Sequence, residues 1–149
     1  MILRKFEEFL KDGMVKKQTS NLQRALSLVK ESEIKKNFLD VSMQNIPKDK
    51  MNANFIVDYC YDVIMELLRA KMFIDGYNAG NSHEAEVSYM VVIGFSQEDT
   101  RFMNELRYYR NGTKYYGTIL EMEYARKSLK FLDNVYPKLR SMFKKREDS

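Results

Sequence analysis

The sequence predicts an all-α domain, and three features predict it. Residues 55–71 place Phe55, Ile56, Tyr59, Cys60, Val63, Ile64, Leu67 and Leu68 on the i, i+3, i+4, i+7 template of one helical face. The end of the chain carries a second continuous stripe: Met122, Ala125, Leu129, Leu132, Tyr136, Leu139 and Phe143. The β-branched run Ser88 to Phe95 (SYMVVIGF) has no evident strand to pair with, and a lone strand is unstable. It is therefore read as a buried helix ending at Gly94.

The remaining elements follow from stripes and caps. Ile2, Leu3, Phe6, Phe9 and Leu10 share one side of an N-terminal helix that Gly13 ends. Thr19, Ser20 and Asn21 are good N-cap types, and Leu22, Ala25, Leu26, Leu28 and Val29 follow at helical spacing to about Phe38. Val41 to Asn52, with Pro47, reads as a loop. After the turn-rich stretch Asp75 to Asn81, the pair Asn81 and Glu84 has capping-box spacing, and Ser96 with Asp99 repeats it. Pro137 lies inside the last stripe and should bend or interrupt it, since proline lacks an amide donor. The chain is expected to be one domain over 1–149, with residues 1–13 as an appended helix and 144–149 as a frayed tail.

Composition narrows the classes of function. Apolar residues make up 44% of 149 residues, enough for one core. No stretch reaches the roughly 18 to 20 apolar residues that a membrane span requires. Glu7 and Glu8 interrupt the start, so neither a signal peptide nor an anchor is expected, and the location is read as cytoplasmic. The single cysteine, Cys60, sits in an apolar helical stretch and reads as a buried thiol. One Cys and one His cannot supply the four ligands of a structural zinc site, so no metal and no cofactor is expected. A net charge of +4 permits an anionic partner without requiring one.

The segment RYYRNGTKYYG (residues 107–117) sets two rules against each other. Asn111-Gly112 between aromatic residues is a strong hairpin signal. The tyrosines, however, come as doublets rather than alternating, whereas Phe102, Leu106, Tyr109, Thr113, Tyr116 and Leu120 step by three or four. On a helical wheel these apolar positions fall within about 80°, and Arg107, Arg110, Asn111, Lys114 and Tyr115 occupy an arc of about 140° on the opposite side. The helix is favoured, with Gly112 or Gly117 marking a bend or break. Asn111-Gly112-Thr113 also matches a glycosylation acceptor, which carries no weight without a secretory signal.

A planar guanidinium fork, an amide and a phenol on one face suit phosphate binding, with tyrosine able to stack on a base. The bland alternative is the wet side of an amphipathic helix. Against it, residues 106–120 contain no Asp or Glu to relieve the positive charge.

Arg110-Asn111 followed by Tyr115, Tyr116 and Gly117 resembles the signature of the HEPN family (higher eukaryotes and prokaryotes nucleotide-binding domain). That signature is Arg-Asn, three intervening residues and usually His, between the last two long helices. The resemblance covers most of the chain beyond about residue 18, including the helix ending AKMFIDGYNA, the following SHEAEV and the ELRYYRNGTKYYG block. It implies an up-and-down antiparallel helical bundle that often forms a homodimer with the two motifs facing one cleft. Many members are metal-independent endoribonucleases, often toxins paired with a nucleotidyltransferase-like antitoxin, and others bind RNA or nucleotides without cutting. Carried over, the catalytic positions are Arg110, which would hold the scissile phosphate, Asn111, which would orient the motif, and Tyr115, which stands where the family histidine would be. Arg107, Arg110, Lys114 and Tyr116 would bind phosphate or nucleic acid.

Tyr115 is a departure with consequences. Cleavage without a metal needs a group that accepts the 2′-hydroxyl proton, and a phenol titrating near 10 is a poor base at neutral pH. His83 is read as a surface or capping residue rather than a substitute. The leading expectation is RNA or nucleotide phosphate binding with at most weak ribonuclease activity; the rival is a non-catalytic, dimeric helical interaction module.

Overall fold

The computed structural model describes residues 2–144. The chain is 74% helical, with six α-helices and one two-stranded ladder among the described residues. The helices are α1 (Phe6–Lys11), α2 (Leu22–Asn45), α3 (Ala53–Asp75), α4 (His83–Val92), α5 (Gln97–Tyr115) and α6 (Met122–Ser141). The strands are β1 (Lys16–Lys17) and β2 (Tyr77–Asn78), paired antiparallel with Lys16 opposite Asn78.

Side-chain caps mark most of the helix starts. Asn21, Asn52, Ser82 and Ser96 each accept the amide of the residue three positions on. The third of these corrects the sequence reading by one position: Ser82, not Asn81, opens α4. The second helix runs to Asn45, past the expected loop start, and only a 3-10 turn at Lys48–Lys50 interrupts the connection to α3. The last helix passes through Pro137 to Ser141 without interruption. Its proline removes one amide from the ladder, and the stripe that continues to buried Leu139 and Phe143 holds the helix together. At the other end of the chain Ile2 and Leu3 precede α1 rather than joining it, and Ile2 is exposed. The frayed tail expected from residue 144 onward falls almost entirely outside the described residues.

Long-range pairs fix the directions of the helices. Asn21 meets Phe73 at one end of the α2–α3 contact and Phe38 meets Tyr59 at the other, so these helices run antiparallel. Asp62 with Arg110 and Asp58 with Thr113 set α5 antiparallel to α3. Phe102 with Phe131 and Tyr109 with Tyr124 do the same for α5 and α6. Four long helices thus form an up-and-down bundle, and α3 is its axis, packed against α2, α4, α5 and α6. Fifteen of its 23 residues are buried, among them Ile64, Leu67 and Leu68 with no exposed surface. Each such side chain contributes about 1.5–3 kcal/mol relative to remaining in water. Cys60 belongs to this core, and burial raises its thiol pKa to about 12.

A second, smaller cluster sits at one end, where Phe6 and Phe9 of α1 pack with Val15, Met72 and Tyr89. The chain between β1 and α2 is bonded directly onto the end of α3. The Gln18 amide donates to the Gly76 carbonyl at 2.9 Å, the Ser20 hydroxyl to Ile74 at 2.7 Å and the Asn21 amide to Phe73 at 3.0 Å. Gly76, at φ +86°, is required here, because a Cβ would lie 2.8 Å from the Gln18 carbonyl oxygen. No helix is long and apolar enough to cross a membrane among the described residues.

Candidate functional site

The helix α5 carries the Arg-Asn motif and passes through Asn111 and Gly112 without a break, so the hairpin does not form. Gly112 serves a different purpose. The loop after the helix folds back so that the amides of Tyr116 and Thr118 both donate to the Gly112 carbonyl, at 3.0 and 3.1 Å. A Cβ at position 112 would come within 2.9 Å of the Thr118 hydroxyl oxygen. Gly117, at φ +68°, turns the chain out of the helix. The amide of Asn54 on α3 then holds the loop, donating to the Thr118 carbonyl at 2.9 Å and accepting the Leu120 amide at 2.8 Å.

The basic residues share a face, as their spacing predicts, but it is not the face pointing away from the core. Thr100, Met103, Arg107, Arg110 and Lys114 step by three and four, so the cations continue the stripe that buries Thr100 and Met103. Both sides of α5 have neighbours. Phe102 and Tyr109 pack on Phe131 and Tyr124 of α6, while the basic side meets α3 and α4. Periodicity sorts residues by side; it does not say which side a second helix will cover.

The Arg110 side chain is only 14% exposed, with a guanidinium nitrogen 3.6 Å from an Asp62 carboxylate oxygen. The guanidinium carbon lies 5.5 Å from the centre of the Tyr61 ring. Arg107 donates through Nε to the buried Asn104 amide oxygen at 2.9 Å, and no carboxylate pairs with it among the described residues. Lys114 is exposed, its ammonium 5.7 Å from the Tyr115 ring centre. Asn111 is half-buried, while Tyr108, Tyr115 and Tyr116 are exposed. The structure therefore brings Arg107 and Arg110 together near Tyr61 and His83, on the side of α5 that meets α3, and leaves Lys114, Tyr115 and Tyr116 exposed at the end of the helix.

The missing acidic relief comes from α3. Asp58 accepts the Thr113 hydroxyl at 3.0 Å, and burial pushes its carboxyl above the ordinary range, opposed by that hydrogen bond and by Arg110. Below Arg110, burial raises the Tyr61 phenol well above its usual value, and its hydroxyl lies 3.1 Å from His83 Nδ1. His83, the first residue of α4 and next to the Ser82 cap, lies in the capping region as expected and is half-buried. Burial lowers its pKa; Arg69, Arg110 and Arg107 push the same way, and Glu86 opposes them. Glu86 is itself 2% exposed and accepts both Arg69 Nε and a terminal nitrogen, at 2.6 and 3.0 Å. The site thus sets Arg69, Arg107, Arg110 and Lys114 against Asp58, Asp62 and Glu86.

Sequence reasoning missed Asp58, Tyr61, Asp62 and His83 as members of this site. One signal was present. Asp58 and Asp62 are four residues apart in a largely apolar stretch of the helix, which puts two carboxylates on one strip. Among the described residues no group of His, Cys, Asp and Glu is arranged to hold a metal ion. Comparison of the chain with family models, curated proteins and solved structures returned no match.

Proposed function

We propose that the basic side of α5, where it meets α3, binds phosphate groups of RNA or of a nucleotide, with Arg107 and Arg110 as the donors. One observation supports this reading above the others. The Arg110 side chain is largely enclosed by protein, yet its guanidinium makes a single ion pair at 3.6 Å and no hydrogen bond among the described residues. A guanidinium withdrawn from water normally has its five donors occupied, because desolvating a charge without compensation is costly. An anion with several acceptor oxygens supplies what the fold leaves unmade, and phosphate matches the planar fork. Lys114 adds charge at the mouth, Asn111 an amide, and Tyr108, Tyr115 and Tyr116 exposed rings on which unpaired bases can stack.

The resemblance of Arg110-Asn111 to the HEPN signature supports the same reading and brings with it a homodimer and a nucleotidyltransferase-like antitoxin as partners. Binding is the primary activity proposed. Tyr115 at the family's histidine position is a weak proton acceptor, so ribonuclease activity stays secondary to it.

The test is labelled single-stranded RNA with EDTA, comparing the natural chain with Arg110→Ala. Losing charged hydrogen bonds of about 1.5–3 kcal/mol should weaken binding by roughly 10- to 100-fold, and salt should weaken it further. Binding that is absent, or equal in a folded Arg110→Ala protein, overturns the proposal.

A second reading, the dimeric interaction module, is favoured by Ile34, Phe38 and Val41. These lie exposed along one side of α2, beside the Phe55–Tyr59 stack on α3. It predicts a dimer that Phe38→Glu dissociates, measured by light scattering.

A further inference from the structure

A cleft of 320 Å³ opens where the start of α2, the end of α3 and the start of α4 converge. Its size falls at the lower end of the roughly 300–1,000 Å³ typical of ligand sites, enough for one nucleotide unit. Arg69, His83 and Glu86 of the site above form part of its lining, and the contact of His83 with Tyr61 links it to the basic side of α5.

The charges around the cleft do not cancel. Arg69 and Glu86 neutralise each other through their two hydrogen bonds. Arg24 is left over. Its guanidinium lies 4.6 Å from the Phe73 ring centre, and no carboxylate or carbonyl accepts from it among the described residues. The aromatic face holds it in place without consuming its donors. Tyr77 offers a half-buried ring, and the Asn81 side chain makes no hydrogen bond among the described residues. A cation, a ring and a free amide around one nucleotide-sized space are the parts of a single-strand subsite.

The neighbouring site is close. The His83 ring centre lies 6.2 Å from that of Tyr61, and Tyr61 lies 5.5 Å from the Arg110 guanidinium. We propose that the Arg24 cleft is a second phosphate subsite, so that the ligand is a single-stranded oligonucleotide passing from Arg107 and Arg110, over His83, to Arg24. The inference rests on the phosphate reading of α5 and goes beyond it, since it adds a second cation that a strand meets through a further phosphate. The Arg69–Glu86 pair lines the cleft and adds no net charge to it.

The experiment measures binding of a labelled hexauridylate to the full chain by anisotropy across a salt series. For single strands the slope of log K against log salt is about −0.7 per phosphate neutralised. Arg24→Ala should weaken the hexamer by about tenfold and make the slope shallower by about 0.7, while ATP binding stays unchanged. Lys30→Ala, which removes an exposed cation further along α2, should alter neither. Circular dichroism confirms that each variant is folded. If Arg110→Ala abolishes hexamer binding while Arg24→Ala does nothing, the subsite is wrong and the phosphate reading of α5 stands. If Arg24→Ala weakens ATP and the hexamer equally, the strand is wrong and a nucleotide fills the cleft. If nothing binds, both proposals fall.

Discussion

Asp62→Asn should do two opposite things at once. In the natural chain Asp62 is the one carboxylate in ion-pair range of the Arg110 guanidinium among the described residues, at 3.6 Å, and it competes with any incoming phosphate. A unit pair near 4 Å is worth about 1 kcal/mol in bulk water and about 4 kcal/mol at an effective dielectric near 20. The Asp62 side chain is 34% exposed and the pair is longer than a hydrogen bond, which places it towards the wet limit, at about 1–2 kcal/mol. Removing the negative charge while keeping the shape should therefore tighten RNA binding by roughly 5- to 30-fold. It should also lower folding stability by a similar free energy, because Arg110 loses its partner when no ligand is present. Anisotropy with labelled RNA and a thermal melt of the same preparation measure both. Tighter binding with a lower Tm is the expected pair of results. If a folded Asp62→Asn protein binds RNA no more tightly than the natural chain, Asp62 does not compete with a phosphate at Arg110 and the phosphate reading fails. If it melts later, the Asp62–Arg110 pair does not stabilise the fold and the magnitude assigned to it is wrong.

Two further outcomes follow from the same geometry. Burial keeps His83 below its ordinary pKa, with Arg69, Arg107 and Arg110 adding to the effect and Glu86 opposing it, so the imidazole is neutral at pH 7. A bound phosphate raises that pKa, so binding takes up a proton and should tighten as pH falls below about 6.5. The free protein loses stability over the same range, because the unfolded chain binds that proton more readily. Isothermal titration and melts between pH 5 and 8 should show both trends, and His83→Gln should remove them; a flat wild-type profile rules out a phosphate beside His83. Gly112→Ala sets a helix-propensity gain of about 1 kcal/mol against a Cβ placed 2.9 Å from the Thr118 hydroxyl oxygen. Because Asn54 and the Gly112 carbonyl both hold Thr118, the clash should win and the variant should melt below the natural chain. A higher Tm would show the loop to be free to move aside.

Sequence periodicity read the helices well where one face dominates. The 55–71 stripe became α3, the 122–143 stripe became α6, and SYMVVIGF became helix up to Val92. The caps Asn21 and Ser96 were legible because their chemistry is local. Several features were hidden because they are settled between distant segments. The β1–β2 ladder has two residues per strand, too short to carry a pattern. The second helix extends to Asn45 because packing on α3 sustains it where Val41 begins a weak stretch. The candidate site was half visible. Arg107 and Arg110 could be placed on one arc, but Asp62, Tyr61 and His83 join them only when α3 and α4 are folded against α5, and no local spacing encodes that meeting.

The axial position of α3 has a further implication. Asp58, Tyr61, Asp62 and Arg69 all project from the helix against which the rest of the bundle packs, so the backbone that carries them cannot shift far without repacking the core. A recess built on such a backbone is a rigid mould, its shape largely set before anything arrives. Little ordering is then demanded of the protein on association, and the entropy lost falls mainly on the guest. A limp polymer can adapt to fixed contours where a stiff duplex cannot.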